Sequence, residues 1–218
     1  MTDSYLTIVN SCKGEYSEKR SKFLAFAFHV ETVEDVKQLV SQYEREYYDA
    51  RHVCYAYVLG YLREQWRAVD NGEPSGTAGK PILGQLNRNE LTDTLIIVVR
   101  YFGGVKLGTS GLQNAYKQAA GEALANAVIE ERTVDVRLAV HFEYPLMNEV
   151  MRVVKDMNPR ILKQDFQTDC ILLLQIRMGD AQQLTERLTL IRGVRVEPQD
   201  KDVEPQSKDL QNGEEESA

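Results

Sequence analysis

Residues 134–198 read VDVRLAVHFEYPLMNEVMRVVKDMNPRILKQDFQTDCILLLQIRMGDAQQLTERLTLIRGVRVEP. Val134, Val136, Leu138, Val140, Phe142 and Tyr144 alternate with polar residues, the period of a strand with one buried face. From Pro145, a residue suited to a first helical turn, the spacing changes. Leu146, Val150, Val153, Val154 and Met157 recur at helical intervals. ILKQDFQT and CILLLQIRM then read as two strands that turn near Thr168 and Asp169. Ala181, Leu184, Leu188 and Ile191 mark a second helix stopping at Gly193, and VRVEP supplies a last strand. The order β-α-β-β-α-β predicts a ferredoxin-like split motif over 134–197.

Working outward, the preceding 130 residues predict a separate mixed α/β domain, so the whole chain reads as α+β, with the boundary near 130–133. KFLAFAFHV is a strand. Thr32 then opens a helix as N-cap with Asp35 three residues on, and Val36, Leu39, Val40 and Tyr43 line one face. VCYAYVLG and WRAVD read as strands, and TLIIVVRYF as a central one. A helix follows over 112–130, whose inner face of Ala115, Ala119, Ala120, Ala123 and Ala127 lets its backbone approach a sheet closely. Residues 198–218, polar and acidic with few large apolar groups, are expected to be a disordered tail.

The 218-residue chain carries a net charge of −7, but unevenly. Lys and Arg against Asp and Glu number 14 against 16 in residues 1–130, 10 against 10 in 131–197, and 2 against 7 beyond. Any anionic partner must therefore be held by a few local groups rather than by bulk charge. No apolar run approaches the ~18 residues of a membrane span, and the N-terminus lacks a secretory pattern. Three widely spaced cysteines, Cys12, Cys54 and Cys170, argue against a disulfide framework or a metal knuckle. A cytoplasmic protein without membrane association is expected. No cofactor or metal ligand set is legible, and nothing sets an oligomeric state.

Two glycine-bearing loops carry the candidate chemistry. DNGEPSGTAGKP (70–81) begins with an Asn71-Gly72 turn signal. Its backbone N–H groups, the hydroxyls of Ser75 and Thr77, and Lys80 can receive an anion, while Asp70 and Glu73 offer carboxylates. A plain connection that starts a helix at Lys80-Pro81 is the alternative.

The second loop, in TLIIVVRYFGGVKLGTSGLQNAYKQAA, runs from an apolar strand through Gly103, Gly104, Lys106, Gly108, Thr109, Ser110 and Gly111 into a helix. Strand, glycine loop and helix N-terminus form a phosphate-binding geometry, with Arg100 and Lys106 adding positive charge. It is neither a Walker A loop nor a dinucleotide fingerprint. Tyr101 or Phe102 could stack a base, though strand alternation buries one of them. Secondary candidates are the basic residues Lys19, Arg20 and Lys22, and His52, which shares a strand face with Cys54. The His52–Cys54 pair reads as a nucleophile pair, half a metal site or, more simply, packing. CILLLQIRM carries no aromatic residue, which disfavours RNA binding in the manner of an RNA-recognition-motif sheet.

The segments ARHVCYAYVLG, DNGEPSGTAGKPIL and VVRYFGGVKLGTSGL together resemble the signature of the IMPACT family, in its YigZ-type bacterial branch. The resemblance is dense from Arg51 to Tyr116 and extends over most of the chain except the tail. It implies an N-terminal domain like those of a small-subunit ribosomal protein and the GHMP kinases, and a C-terminal domain similar to the last domain of elongation factor G. Eukaryotic members act in translational control, restraining a starvation-responsive initiation-factor kinase through its activator. They carry an extra RWD domain, not recognisable here, so that interaction is not carried over. Asn114 stands where the family often has a basic residue, which removes one positive charge from that helix face.

For this branch the resemblance implies only an RNA- or ribosome-associated role; taken with the strand–glycine–helix loop, Arg100 and Lys106, it leads to the expectation of a non-enzymatic regulator of translation. Lys80, Arg100 and Lys106 would meet phosphates, Tyr101 or Phe102 would stack, and Gly103, Gly104 and Gly108 would let the backbone approach. Two other readings stay open. One is an enzyme acting on a nucleotide or phosphorylated small molecule, with Asp70 or Glu73 on Mg²⁺. The other is a protein-binding module built on the second sheet.

Overall fold

The computed structural model describes residues 3–166 and 169–199. The chain divides after Arg132 into two compact units. In the first, strands β1 (Ser4–Ile8), β2 (Cys12–Glu18) and β3 (Ser21–His29) precede helix α1 (Val33–Glu46). Strands β4 (His52–Leu59) and β5 (Gln65–Val69), helix α2 (Gly79–Arg88), strand β6 (Thr94–Tyr101) and helix α3 (Gly108–Ala125) follow, and β7 (Ile129–Thr133) closes the run.

Five strands form one sheet in the order β2-β3-β6-β4-β5, with β6 in the middle as the apolar run predicts. Every pairing in it is antiparallel. Alternation along β6 divides the core. Ile96 and Val98 face α2 and α3, whereas Leu95, Ile97 and Val99 face α1. Because both faces are covered, β6 reads as a continuous hydrophobic run rather than an alternating one.

Helix α1 begins as expected, with Thr32 Oγ1 accepting from the Asp35 N–H and the Asp35 carboxylate accepting from the Thr32 N–H. The alanine face of α3 is buried through Ala115, Ala119, Ala120 and Ala123, and it meets β2 very closely. A Cβ on Gly14 of β2 would collide with the Ala123 backbone nitrogen.

Three local expectations change. Helix α3 starts at Gly108 and ends at Ala125, so Thr109 and Ser110 belong to its first turn and Ala127 lies past its end. Residues 12–18, given no element by their pattern, form β2, and Lys19 and Arg20 are the two-residue loop of the β2–β3 hairpin. Strands β1 and β7 pair in a separate two-stranded ribbon; neither is amphipathic enough in sequence to stand out.

The second unit contains β8 (Asp135–Glu143), a 3₁₀ turn at Tyr144–Leu146 holding Pro145, and α4 (Met147–Met157). Then come β9 (Arg160–Phe166), β10 (Asp169–Arg177), α5 (Met178–Thr189) and β11 (Arg195–Gln199). The sheet order is β11-β8-β10-β9, all antiparallel. Leu138, Val140, Cys170, Leu172 and Leu174 pack against Val150, Val154, Leu184 and Leu188 of the two helices. Helix α5 ends before Gly193, which instead takes a left-handed φ of +99° in the following turn. Pro198 and Gln199 belong to β11, so the strand runs into the expected tail. The remainder of that tail, and Thr168, lie outside the described residues.

Candidate functional site

Phe23, Arg100 and His52 lie in one row across three adjacent strands, at registered positions of β3, β6 and β4. Alternation turns them toward α2 and α3, where the first glycine loop folds down over them. Arg100 Nη1 donates to Glu73 Oε1 at 2.6 Å, and the Tyr116 hydroxyl of α3 donates to the same oxygen at 2.9 Å. The Arg100 guanidinium also lies between two rings, its Cζ 5.4 Å from the Phe23 centroid and 5.6 Å from that of Phe102. Its Nε is buried and has no hydrogen-bond partner among the described residues. Arg100 is thus only 5% exposed and faces Glu73, not the surface contact expected of it.

Asp70 is also turned inward. Its carboxylate accepts from the backbone N–H groups of Gly76 at 2.7 Å and of Ala78 and Gly79 at 2.9 Å. It therefore caps α2, whose own N-cap residue Ala78 has no side chain capable of it. Burial opposes its ionisation, but the three N–H bonds and nearby Lys80 outweigh this and hold the carboxyl below its ordinary range. The two carboxylates expected to offer themselves to a cation are both committed to partners within the protein.

His52 Nδ1 donates to the Asn71 carbonyl at 2.9 Å, leaving Nε2 directed toward Glu73 Oε1 at 3.8 Å. Cys54 is wholly buried, its thiol 2.8 Å from the Asp70 carbonyl oxygen and 3.4 Å from the Tyr116 hydroxyl. Burial pushes the Cys54 thiol up to about 12, so it stays protonated and is no nucleophile. Burial raises the Tyr116 phenol as well, keeping it a neutral donor. No group of three or more His, Cys, Asp or Glu suited to a metal ion occurs among the described residues.

Of the remaining first-loop candidates, Thr77 is buried and its hydroxyl donates to the Pro74 carbonyl at 2.6 Å. Ser75 and Lys80 are exposed. On the second loop, the Tyr101 hydroxyl donates to Asp49 at 3.0 Å, while Phe102 is 49% exposed. Tyr101 is only half-buried, so alternation fully buries neither aromatic of the pair. Gly104, Val105, Lys106, Gly108, Thr109 and Ser110 are all exposed, and Leu107, the N-cap residue of α3, supplies no capping hydrogen bond.

The second loop is pinned to the hairpin turn. Gly103 N–H donates to Ser21 Oγ at 3.2 Å, and a Cβ on Gly103 would collide with the Arg20 carbonyl group. This approach sets the exposed Lys19 and Arg20 beside the second loop. Lys22 is paired with Glu15 at 3.0 Å. Sequence reasoning passed over Ser21, Phe23 and Tyr116, because a hydroxyl in a turn and two apolar-face aromatics carry no signal of what they will meet.

A family model described as the Impact N-terminal domain matches residues 19–124, the span holding every group of this site. A Haemophilus influenzae protein described as an IMPACT family member is 32% identical over 187 residues, covering 85% of this chain and 91% of that one. The chain belongs to the IMPACT family. The IMPACT family member YigZ of Escherichia coli K12 is 31% identical over 172 residues, 78% of this chain and 84% of its own. A solved structure described as that of a hypothetical protein superposes with a TM-score of 0.68 at 28% identity, covering 93% of this chain and all of that one. The IMPACT family assignment and the mixed α/β, two-unit architecture thus agree with the sequence reading. No helix among the described residues is long and apolar enough to cross a membrane.

Proposed function

We propose that this IMPACT family protein is an RNA- or ribosome-associated regulator of translation that holds phosphate backbone at the surface joining the second glycine loop to the β2–β3 turn. The observation that carries this reading is the seating of Gly103 against Arg20 and Ser21. It brings the turn that carries the exposed Lys19 and Arg20 against the loop that carries the exposed Phe102 and Lys106 and leads into the first turn of α3. Cations, a stacking ring and open helical N–H groups are what single-stranded RNA requires. Translational control comes from the family resemblance. The domain names that go with it are an N-terminal domain like the ribosomal-protein and GHMP-kinase type and a ferredoxin-like second unit resembling the last domain of elongation factor G.

In this reading the roles differ from those first expected. Lys19, Arg20 and Lys106 meet phosphates, with Lys80 at the neighbouring loop. Phe102 stacks, and Arg100 positions it from beneath. The Mg²⁺-dependent alternative loses its support, because Asp70 and Glu73 are already engaged by backbone N–H groups, Arg100 and Tyr116.

The test is co-sedimentation with ribosomes and RNA binding across a salt series. Lys106→Ala and Lys19→Asn/Arg20→Gly are expected to weaken both and flatten the salt dependence. Wild-type protein that binds neither at low salt, or variants that bind like wild type, would refute the reading.

A further inference from the structure

Away from the loops, α2 and α3 enclose a groove of about 390 Å³, a volume within the range of roughly 300–1,000 Å³ typical of small-molecule sites. Its origin is readable along α3. Lys117, Gly121 and Leu124 follow one another at helical spacing on the face that lines the groove, with Gln118 and Ala125 alongside. Gly121 leaves the middle of this stripe without a side chain. A Cβ there would meet only Gln85 Oε1, at 3.4 Å, so the space beyond it is open. The opposite wall is the last turn of α2, with Gln85 and Arg88, followed by Asn89. Asn89 is anchored by its Nδ2 donating to the Gln85 carbonyl at 2.8 Å.

The lining is chemically one-sided. Arg88 and Lys117 are exposed, neither has an ion-pair partner among the described residues, and no acidic residue lines the groove. Arg88 partly serves the negative C-terminal end of α2. Lys117 has no such duty, because it sits in the middle of α3. An uncompensated cation pair in a concave site attracts an anion, and a guanidinium favours an oxyanion that can accept two parallel bonds. The carboxamides of Gln85 and Gln118 each offer a donor and an acceptor, as the edge of a base requires. Leu124 and Ala125 add an apolar surface for a ring or sugar.

We propose that the α2–α3 groove is a binding site for a phosphate ester of nucleotide size, the phosphate on Arg88 and Lys117 and the base against the carboxamides. The ester is either a free nucleotide or the phosphorylated end of an oligonucleotide. This site stands apart from the glycine-loop surface and does not depend on it.

Calorimetry on the full chain tests it with the four common ribonucleoside monophosphates, their nucleosides, and short oligoribonucleotides with and without a 5′-phosphate. At least one phosphorylated probe is expected to bind about tenfold more tightly than its unphosphorylated counterpart, a difference of about 1.4 kcal/mol. Arg88→Gln/Lys117→Gln should remove that preference with only a small change in thermal midpoint, both residues being exposed. Gly121→Leu, which fills the groove, should remove the same preference. Tight binding by a free monophosphate assigns a nucleotide; binding by the 5′-phosphorylated oligonucleotide alone assigns an RNA end. No binding of any phosphorylated probe at millimolar concentration overturns the proposal, as does equal binding of the unphosphorylated probes or an unaltered double variant.

Discussion

Arg100 Nη1 lies 2.6 Å from Glu73 Oε1, with only 6% and 3% of the two side chains exposed. The pair ties the end of the central strand to the first glycine loop, across 27 residues of sequence. Removing two charges from water is costly, so the pair's worth lies less in net stability than in the uncompensated charge left when one member goes.

Glu73→Ala is therefore expected to destabilise the first unit by about 3–5 kcal/mol, the usual cost of stranding a buried charge. Glu73→Leu/Arg100→Met should recover much of that loss. Urea denaturation of Glu73→Leu, Arg100→Met and the double variant measures the coupling; additive losses would show that the two groups act independently.

Asp70 gives the fold an acid sensitivity. Its folded carboxyl lies below the ordinary value of about 3.9, so its contribution is fully present above that pH. The contribution is lost as pH falls from there through the lowered folded value. Asp70→Asn should cost about 1–2 kcal/mol at neutral pH, as the loss of a helix cap does, and less in strong acid. Thermal midpoints of the two proteins measured from pH 7 down to pH 2 should converge; a constant gap would disprove the linkage.

Lys19 and Arg20 hold left-handed φ values of 45° and 68° in the two-residue loop of a hairpin. Side chains with a Cβ are strained there, whereas Asn-Gly suits such a turn. Lys19→Asn/Arg20→Gly should raise stability by about 1 kcal/mol while weakening RNA binding. Opposite signs in the melting and binding measurements separate a binding role from a folding one.

The Cys54 thiol, buried and pushed up to about 12, should resist a thiol reagent at pH 8 in the native protein. It should react fully only after denaturation. Labelling followed by peptide mass analysis distinguishes it from the half-buried Cys12. Rapid native labelling of Cys54 would contradict the packing described.

Gly103→Ala forces a Cβ into the Arg20 backbone, and Gly14→Ala forces one into that of Ala123. Neither neighbour is a flexible side chain that can swing away. Each change should cost about 1–3 kcal/mol or more, as overpacking does. Gly104→Ala meets no atom within 4 Å, but its φ of +85° strains any side chain, so its cost should be smaller and purely local. Equal melting temperatures for the three variants would contradict this ordering.

Periodicity alone revealed most elements of both units. The alternation through Val136, Leu138 and Val140, the capping pair Thr32–Asp35 and the apolar run of β6 depend on backbone geometry within one segment, and that geometry repeats wherever the pattern occurs. Strand β2 escaped notice because Cys12, Gly14, Tyr16 and Glu18 make a poor apolar face; close packing against the small residues of α3 holds it instead. The two glycine loops were also legible, but which of Tyr101 and Phe102 lies exposed was not, because that depends on where the loop leaves the sheet.

Composition and local spacing by themselves determined a mixed α/β chain in two parts, an acidic end, and the residue types available for holding an anion. Tertiary structure alone decided which of those residues remain available. Arg100 reads as a surface cation until Glu73 and Phe23 are brought against it, and Asp70 reads as a metal ligand until the start of α2 turns its N–H groups toward it. The reason is physical: a backbone period places a side chain on a face, but a charge or donor is committed only when a partner arrives from a distant segment.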